Sequence, residues 1–264
     1  MSSVWPMLLT SGSLMLIIMA AFALTIYAIL RQKRNSEIKN DFISNMTHEL
    51  KTPVSTIALA CEALVDPDMR AIKGSSDRYI SMIKEENKRL GVLVENVLQT
   101  AIVDKGELRL KKESLKLNEL IRRSVDTVQL ALNKRGGSIS LDFRASDDTI
   151  MADPAHLLNV IDNLVDNAMK YSPRAPEVSI STSLESGRLI MVVSDNGIGI
   201  SPEHQKRIFD TLYRVPTGNT HDVKGFGLGL SYVKAVVENH NGKVSVKSVL
   251  GKGTEIRIEL PTNG

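Results

Sequence analysis

The chain has 264 residues, 42% of them hydrophobic but only 4% aromatic, enough for one or two folded domains packed mainly by Leu, Ile, Val and Met. Lys and Arg total 33 against 30 Asp and Glu, a formal net charge of +3 and too even a balance for a nucleic-acid binder. The single cysteine, Cys61, excludes an internal disulfide framework and a cysteine-built zinc cluster; its apolar helical surroundings predict a packed thiol.

Residues 1–30 carry no charged side chain, and Met7 to Leu30 reads "MLLTSGSLMLIIMAAFALTIYAIL". As a helix this spans roughly 36 Å, enough to cross a bilayer core with some tilt. A cleavable signal peptide is the rival reading, prompted by "AFA". No basic segment precedes the apolar run, however, and the run continues past Ala23, so a retained membrane helix is expected. "RQKR", Arg31 to Arg34, follows at once, and the positive-inside bias then puts the rest of the chain in the cytoplasm.

Residues 37–104 read as two helices. Ile43, Met46, Leu50, Pro53, Ile57, Ala60 and Leu64 recur in alternating steps of three and four, a bundle seam. "DPDMRAIKGSS" breaks the pattern, and a second seam runs Ile80, Ile83, Asn87, Leu90, Val94, Val97, Ala101, with Asn87 its one polar member. One hairpin leaves much of its apolar stripe wet, so a homodimeric four-helix bundle is the expected assembly. In this register His48 faces outward, with Glu49 and Thr52 on the same side and Pro53 expected to kink the helix one turn on. An outward polar residue is by itself ordinary. A zinc site of the H-E-x-x-H kind would need a second histidine at Thr52.

From about Glu107 short β-like segments appear: "GELRLK", "SISLDF", "EVSIST", "RLIMVVSD", "GKVSVKSV" and "GTEIRIELP". Helix-like segments, "NELIRRSVDTVQLALN", "PAHLLNVIDNLVDNAMKY" and "LGLSYVKAVVENH", are interleaved with them. Strands that follow one another directly argue for an α+β domain, a mixed sheet with helices on one face. The predicted division is a membrane segment over 1–30, a linker and helical hairpin over 31–105, and an α+β domain over 106–264.

Three stretches of that domain suggest chemistry. In "NVIDNLVDNAMKYS", Asn163, Asp166, Asn167 and Lys170 share a face opposite Val160, Ile161, Leu164, Val165 and Ala168. Solvation explains most polar helix faces, but paired asparagines are poor helix formers, and their amides suit Mg²⁺ and phosphate oxygens. In "SDNGIGI", Asp195 ends an apolar strand and Gly197 and Gly199 follow, a carboxylate acceptor beside closely approaching backbone. In "KGFGLGLSYVK", Gly225, Gly227, Leu228 and Gly229 lead into a helix whose first amides can face phosphates. The dinucleotide fingerprint is absent because Leu230 stands where its third glycine belongs.

With "FISNMTHELKTP" these stretches, in this order over residues 37–261, resemble the sensor histidine kinases of two-component signalling. His48 matches the H box, Asn163 and Asn167 the N box, and Asp195, Gly197 and Gly199 the first G box. Phe209 in "RIFDTLYRV" matches the F box, with Tyr213 where a second phenylalanine is common. Gly225, Gly227 and Gly229 match the second G box, and Gly251, Gly253 and Thr254 the closing G-x-G-T. The resemblance implies a Bergerat-type two-layer ATP-binding domain, as in histidine kinases and gyrase, and anchoring in the bacterial inner membrane. It implies that ATP phosphorylates His48 at Nε2 with Glu49 as general base, and that a response-regulator aspartate then receives the phosphoryl group. By the same resemblance Asn167 is the Mg²⁺ ligand, Asn163 completes the phosphate site, Lys170 offsets phosphate charge, and Tyr171 packs near the nucleotide. Asp195 accepts from the adenine amino group, Thr52 orients a water for dephosphorylating the partner, and the stretch from Phe209 to Gly225 is a lid over ATP. Many relatives carry a sensor domain before the last membrane helix and a signalling module after it; the linker from Arg31 to His48 is too short for such a module, and a truncated or an internally started copy both stay open as readings. Two alternatives stay open: a plain ATP-hydrolysing machine on this fold, disfavoured because Asn163 is a poor base where such enzymes have glutamate, and a membrane-anchored scaffold or silent kinase relic.

Overall fold

The computed structural model describes residues 4–72, 74–104, 108–173, 175–215 and 227–262. Two compact units make up the chain, Met1–Glu49 and Leu50–Gly264. The first unit is the leading part of helix α1 (Val4–Val65). From Met7 to Leu30 every side chain is exposed, and this one N-terminal helix is long and apolar enough to cross a membrane. Its Ser and Thr hydroxyls over this stretch are not left bare. Thr10, Ser11, Ser13 and Thr25 donate to the carbonyls of Met7, Leu8, Thr10 and Ala21, the way a helix in hydrocarbon satisfies its own polar side chains.

The second unit opens with the rest of α1. Pro53 and Ala60 are buried, Leu50, Ile57 and Leu64 half-buried, and Thr52, Val54 and Leu59 exposed, so the three-and-four steps follow the covered stripe from Leu50 onward, whereas Ile43, the first residue of the expected seam, is 53% exposed. Cys61 is exposed, which corrects the expected packed thiol. One position past Ala60, it lies about 100° round the helix from the seam. Asp66 then accepts from the amides of Asp68 and Met69, Pro67 takes the first helical position, and the short α2 (Pro67–Ala71) turns the chain into α3 (Ser75–Asp104). Within one chain the second seam is covered only in part. Ile83, Leu90 and Val97 turn inward as expected, but Ile80 and Val94 are 42% and 52% exposed and Asn87 is exposed too. Tyr79, Glu86 and the buried Leu93 take the inward places; the side chain of Ala101 lies outside those described. Adjacent candidates at 79/80, 86/87 and 93/94 make a broad stripe, and spacing alone does not say which edge is covered.

The α+β part comprises β1 (Glu113–Lys116), α4 (Leu117–Lys134), β2 (Ser138–Phe143), β3 (Thr149–Ala152), α5 (Pro154–Lys170), β4 (Glu177–Glu185), β5 (Arg188–Asp195), α6 (Pro202–Gln205), α7 (Gly229–Asn239), β6 (Lys243–Val249) and β7 (Gly253–Pro261). The main sheet runs β2-β4-β5-β7-β6, with β2 parallel to β4 and the other pairs antiparallel. β1 and β3 form a separate antiparallel ribbon. Helices α4, α5 and α7 lie side by side on one face of the sheet. The strands alternate accordingly: Val178, Ile180 and Thr182 of β4 and Ile256, Ile258 and Leu260 of β7 point into the core against Ile121, Ile161, Val233 and Val237. The expected strand "GELRLK" is not one, since residues 108–112 are irregular and the pairing begins at Glu113. β3 and α6, four residues each, are too short for a periodic signal.

Candidate active site

α5 starts at a strong cap. Asp153 accepts from the amides of Ala155 and His156, and Pro154 fills the first helical position. Its apolar side, Leu157, Val160, Ile161, Leu164, Val165 and Ala168, is buried, which turns Asn163, Asp166, Asn167 and Lys170 to the opposite side. α7 lies against that helix, and at its first residue the two nearly touch. A Cβ added to Gly229 would sit 2.7 Å from Asn163 Oδ1 and 3.7 Å from Asn167 Nδ2. Glycine thus keeps the start of α7 clear of that side chain, and the open end of one helix faces two amide side chains of another. The arrangement leaves backbone N–H groups and carboxamides converging on one spot, a set of groups suited to phosphate oxygens. Asn163 is held by its own helix, Nδ2 donating to the Asn159 carbonyl at 2.8 Å. Lys170 is paired with Asp166 at 2.9 Å. That pair is solvent-facing and worth at most about 1 kcal/mol, so an arriving phosphate could take the ammonium over.

Asp195 ends β5 directly opposite Thr254 on β7. Its Oδ1 accepts from the amides of Gly197 at 2.8 Å and Thr254 at 3.2 Å, which fixes the carboxylate's orientation. Burial pushes this carboxyl above its ordinary range, against the two amides that lower it. Gly199 has φ +68°, and any side chain there would collide with the Val249 carbonyl of the β6–β7 turn. Ser248 accepts from the amide of Ile200 and lies 2.9 Å from the Thr254 hydroxyl, so the loop after Asp195 is stitched to that turn. Asn196 completes the loop: its Oδ1 takes the Glu177 amide and its Nδ2 donates to the Ala175 carbonyl. Neither Asn196 nor Ser248 was expected; both act through hydrogen bonds to distant backbone, for which a sequence carries no signal.

Phe209 is half-buried beside the buried Ile208. Tyr213 is fixed by a 2.6 Å hydrogen bond to His204 Nδ1 and by the Arg207 guanidinium over its ring. Gly227, at φ +71°, packs on the Tyr213 carbonyl, and Leu228 is buried. Gly225 and most of the expected lid lie outside the described residues. Tyr171 caps α5, and its carbonyl accepts from Ile198, joining the asparagine helix to the loop after Asp195. Among the described residues no three His, Cys, Asp or Glu side chains cluster as a metal cage. On α1, His48 is exposed and Glu49 half-buried in the first unit, and Thr52 is exposed in the second.

Two families match this chain. The His Kinase A (phospho-acceptor) domain covers residues 38–106, and the histidine kinase-, DNA gyrase B- and HSP90-like ATPase family covers residues 152–264. The chain carries the catalytic region of a sensor histidine kinase. Among curated sensor kinases, RprX of Bacteroides fragilis is 44% identical over 250 residues, covering 93% of this chain and 48% of RprX. SrrB of Staphylococcus aureus is 34% identical over 233 residues, covering 85% of this chain and 38% of SrrB. The chain thus spans about half, or less, of these relatives. Among solved structures, the histidine kinase ThkA in complex with the response regulator TrrA aligns with a TM-score of 0.59 at 22% identity, over 87% of this chain and 64% of that one. The Acinetobacter baumannii kinase AdeS aligns with a TM-score of 0.58 at 21% identity, over 82% and 98%. Both share the fold: a helical hairpin followed by a Bergerat ATPase domain.

Proposed function

We propose that this kinase region transfers the γ-phosphoryl group of Mg-ATP to His48 and then to an aspartate of a response-regulator receiver domain. One observation carries the reading: Gly229 at the start of α7 is pressed against Asn163 and within reach of Asn167, with Asp195 fixed by two amides on the same domain. Asp195 accepts from the adenine amino group, which guanine's carbonyl would not supply. Gly197 and Gly199 let the backbone close on the base, and Thr254 holds Asp195. Phe209, Gly225, Gly227, Leu228 and Gly229 shape the phosphate end, Lys170 offsets its charge, and Tyr171 packs alongside. Asn167 offers an amide oxygen to Mg²⁺, which supplies charge neutralisation between the phosphates when bound. His48 attacks phosphorus through Nε2 as the bond to the ADP oxygen breaks, and Glu49 takes the Nδ1 proton. Asn163 cannot serve as a base for water, which disfavours plain hydrolysis.

The solvent-facing Ile80 and Val94 of α3 support a homodimer that covers them in a four-helix bundle. The uncovered apolar helix over 7–30 and the basic residues after it support single-pass anchoring in a bacterial inner membrane, with residues 31–105 and 106–264 as cytoplasmic phosphotransfer and ATP-binding domains. ThkA's complex with TrrA supports a receiver-domain partner. Thr52, one turn from His48 in the sequence of α1, would orient a water for partner dephosphorylation. His48→Ala should abolish acid-labile, base-stable labelling from γ-labelled ATP while ATP binding persists; labelling of that variant would sink the assignment.

A further inference from the structure

The segment joining α5 to β4 is gripped from two sides. From one side comes the loop after Asp195. Asn196 accepts from the Glu177 amide at 3.0 Å and from the Ser172 hydroxyl at 3.3 Å, and it donates to the Ala175 carbonyl at 3.2 Å. The Ile198 amide donates to the Tyr171 carbonyl at 3.0 Å. Contact there is so close that a Cβ on Gly197 would stand 2.7 Å from the same carbonyl. From the other side comes the turn after α4, which holds no part of the nucleotide site. Arg135 Nη1 donates to the Met169 carbonyl at 2.6 Å and Nη2 to the Ser172 carbonyl at 2.9 Å. Gly137 presses on Pro176, and the Ser138 amide donates to the Pro176 carbonyl at 2.8 Å.

The Met169 carbonyl is one of the last four of α5, which the helix itself cannot satisfy. A cation there also meets the negative end of the helix dipole. A guanidinium fork can hold two carbonyls three residues apart, whereas an ammonium is a point donor. The segment so held begins with Lys170 and Tyr171 and lies one turn beyond Asn167.

We propose that Arg135 is a positioning residue for nucleotide binding: from the end of α4 it fixes the end of α5, so that Asn167, Lys170 and Tyr171 keep register with the loop from Asp195 to Gly199. This rests on the nucleotide reading given above. The guanidinium touches only main-chain carbonyls, so its effect falls on binding and not on the phosphoryl-transfer step. Arg135→Ala should raise the Kd for Mg-ATP by roughly three- to tenfold with the labelling rate at saturating ATP unchanged. Arg135→Lys, which keeps the charge but reaches one carbonyl, should fall between that variant and wild type.

The test uses the full chain in detergent or vesicles, titrated with Mg-ATP, with thermal melts in parallel. A rise below threefold overturns the proposal whatever the melting temperature does. So does a saturating rate that falls at unchanged Kd, which means lost active protein, and so does an Arg135→Lys ratio equal to that of Arg135→Ala. Failure of wild type to bind Mg-ATP would instead strike the nucleotide reading itself.

Discussion

Gly229→Ala separates folding from binding. The added methyl would stand 2.7 Å from Asn163 Oδ1. A carbon needs roughly 3.3 Å from an oxygen, so that oxygen must retreat by roughly 0.6 Å. Asn163 is a side-chain end and can move, at the expense of its 2.8 Å bond to Asn159, a loss of about 1 kcal/mol. Alanine in place of glycine in a helix returns up to about 1 kcal/mol. Net stability should therefore stay within about 1 kcal/mol of wild type. Binding should not survive as well, because the methyl occupies the space between the α7 amides and the two asparagines and turns Asn163 away. The Mg-ATP Kd should rise at least tenfold, about 1.4 kcal/mol, with labelling of His48 reduced in step at sub-saturating ATP. A calorimetric titration and a thermal melt on the same preparation read both quantities. Wild-type affinity in a folded Gly229→Ala protein would refute the placement of phosphate between α5 and α7.

His240, at the end of α7, is buried with both ring nitrogens engaged: Nδ1 donates to the Val236 carbonyl at 2.8 Å and Nε2 accepts from the Asp153 amide at 3.0 Å. Burial, with Lys112 and His156 nearby and Asp153 opposing them, holds its pKa below the ordinary histidine value. Below that ordinary value the unfolded chain binds a proton that the folded one refuses, so stability should decline as pH falls from about 7 toward the folded pKa. One such proton gives a slope no steeper than about 1.4 kcal/mol per pH unit, and His240→Gln should flatten the melting-temperature profile there; an unchanged profile would exclude His240 as its source. Thr52→Ala should keep His48 labelling and weaken dephosphorylation of the phosphorylated partner; unchanged phosphatase activity would remove Thr52 from that step.

Long periodic elements were legible from the sequence, and short ones were not. α4, α5 and α7 emerge within a residue or two of their expected limits because each has an amphipathic stripe at helical spacing and a terminal signal such as Asp153-Pro154. β3 escaped because four residues hold only two alternations, and it pairs with β1 from across α4. In the site, Asn163, Asn167, Asp195 and Gly229 could be singled out as residue types in suggestive places. Their convergence could not, since it depends on α7 packing against α5 across the whole intervening stretch 171–228. Arg135 was invisible for the same reason: an arginine at a helix end is ordinary until its two carbonyls are known. The exposed Cys61 shows a further limit, because spacing specifies a stripe but not the edge at which burial stops.

The parallel pairing of β2 with β4 has a consequence for how this domain comes apart. Two parallel strands cannot be joined by a tight turn, and here the crossover between them contains α5, the asparagine-bearing helix. β2 is an edge strand held to the main sheet on one side only. Fraying at that edge and loosening of the crossover are therefore one event, not two. Any ligand that clamps α5 withdraws the partly open forms of the edge from the population, so occupancy of the pocket should be readable in the hydrogen-exchange protection of a strand that never touches it.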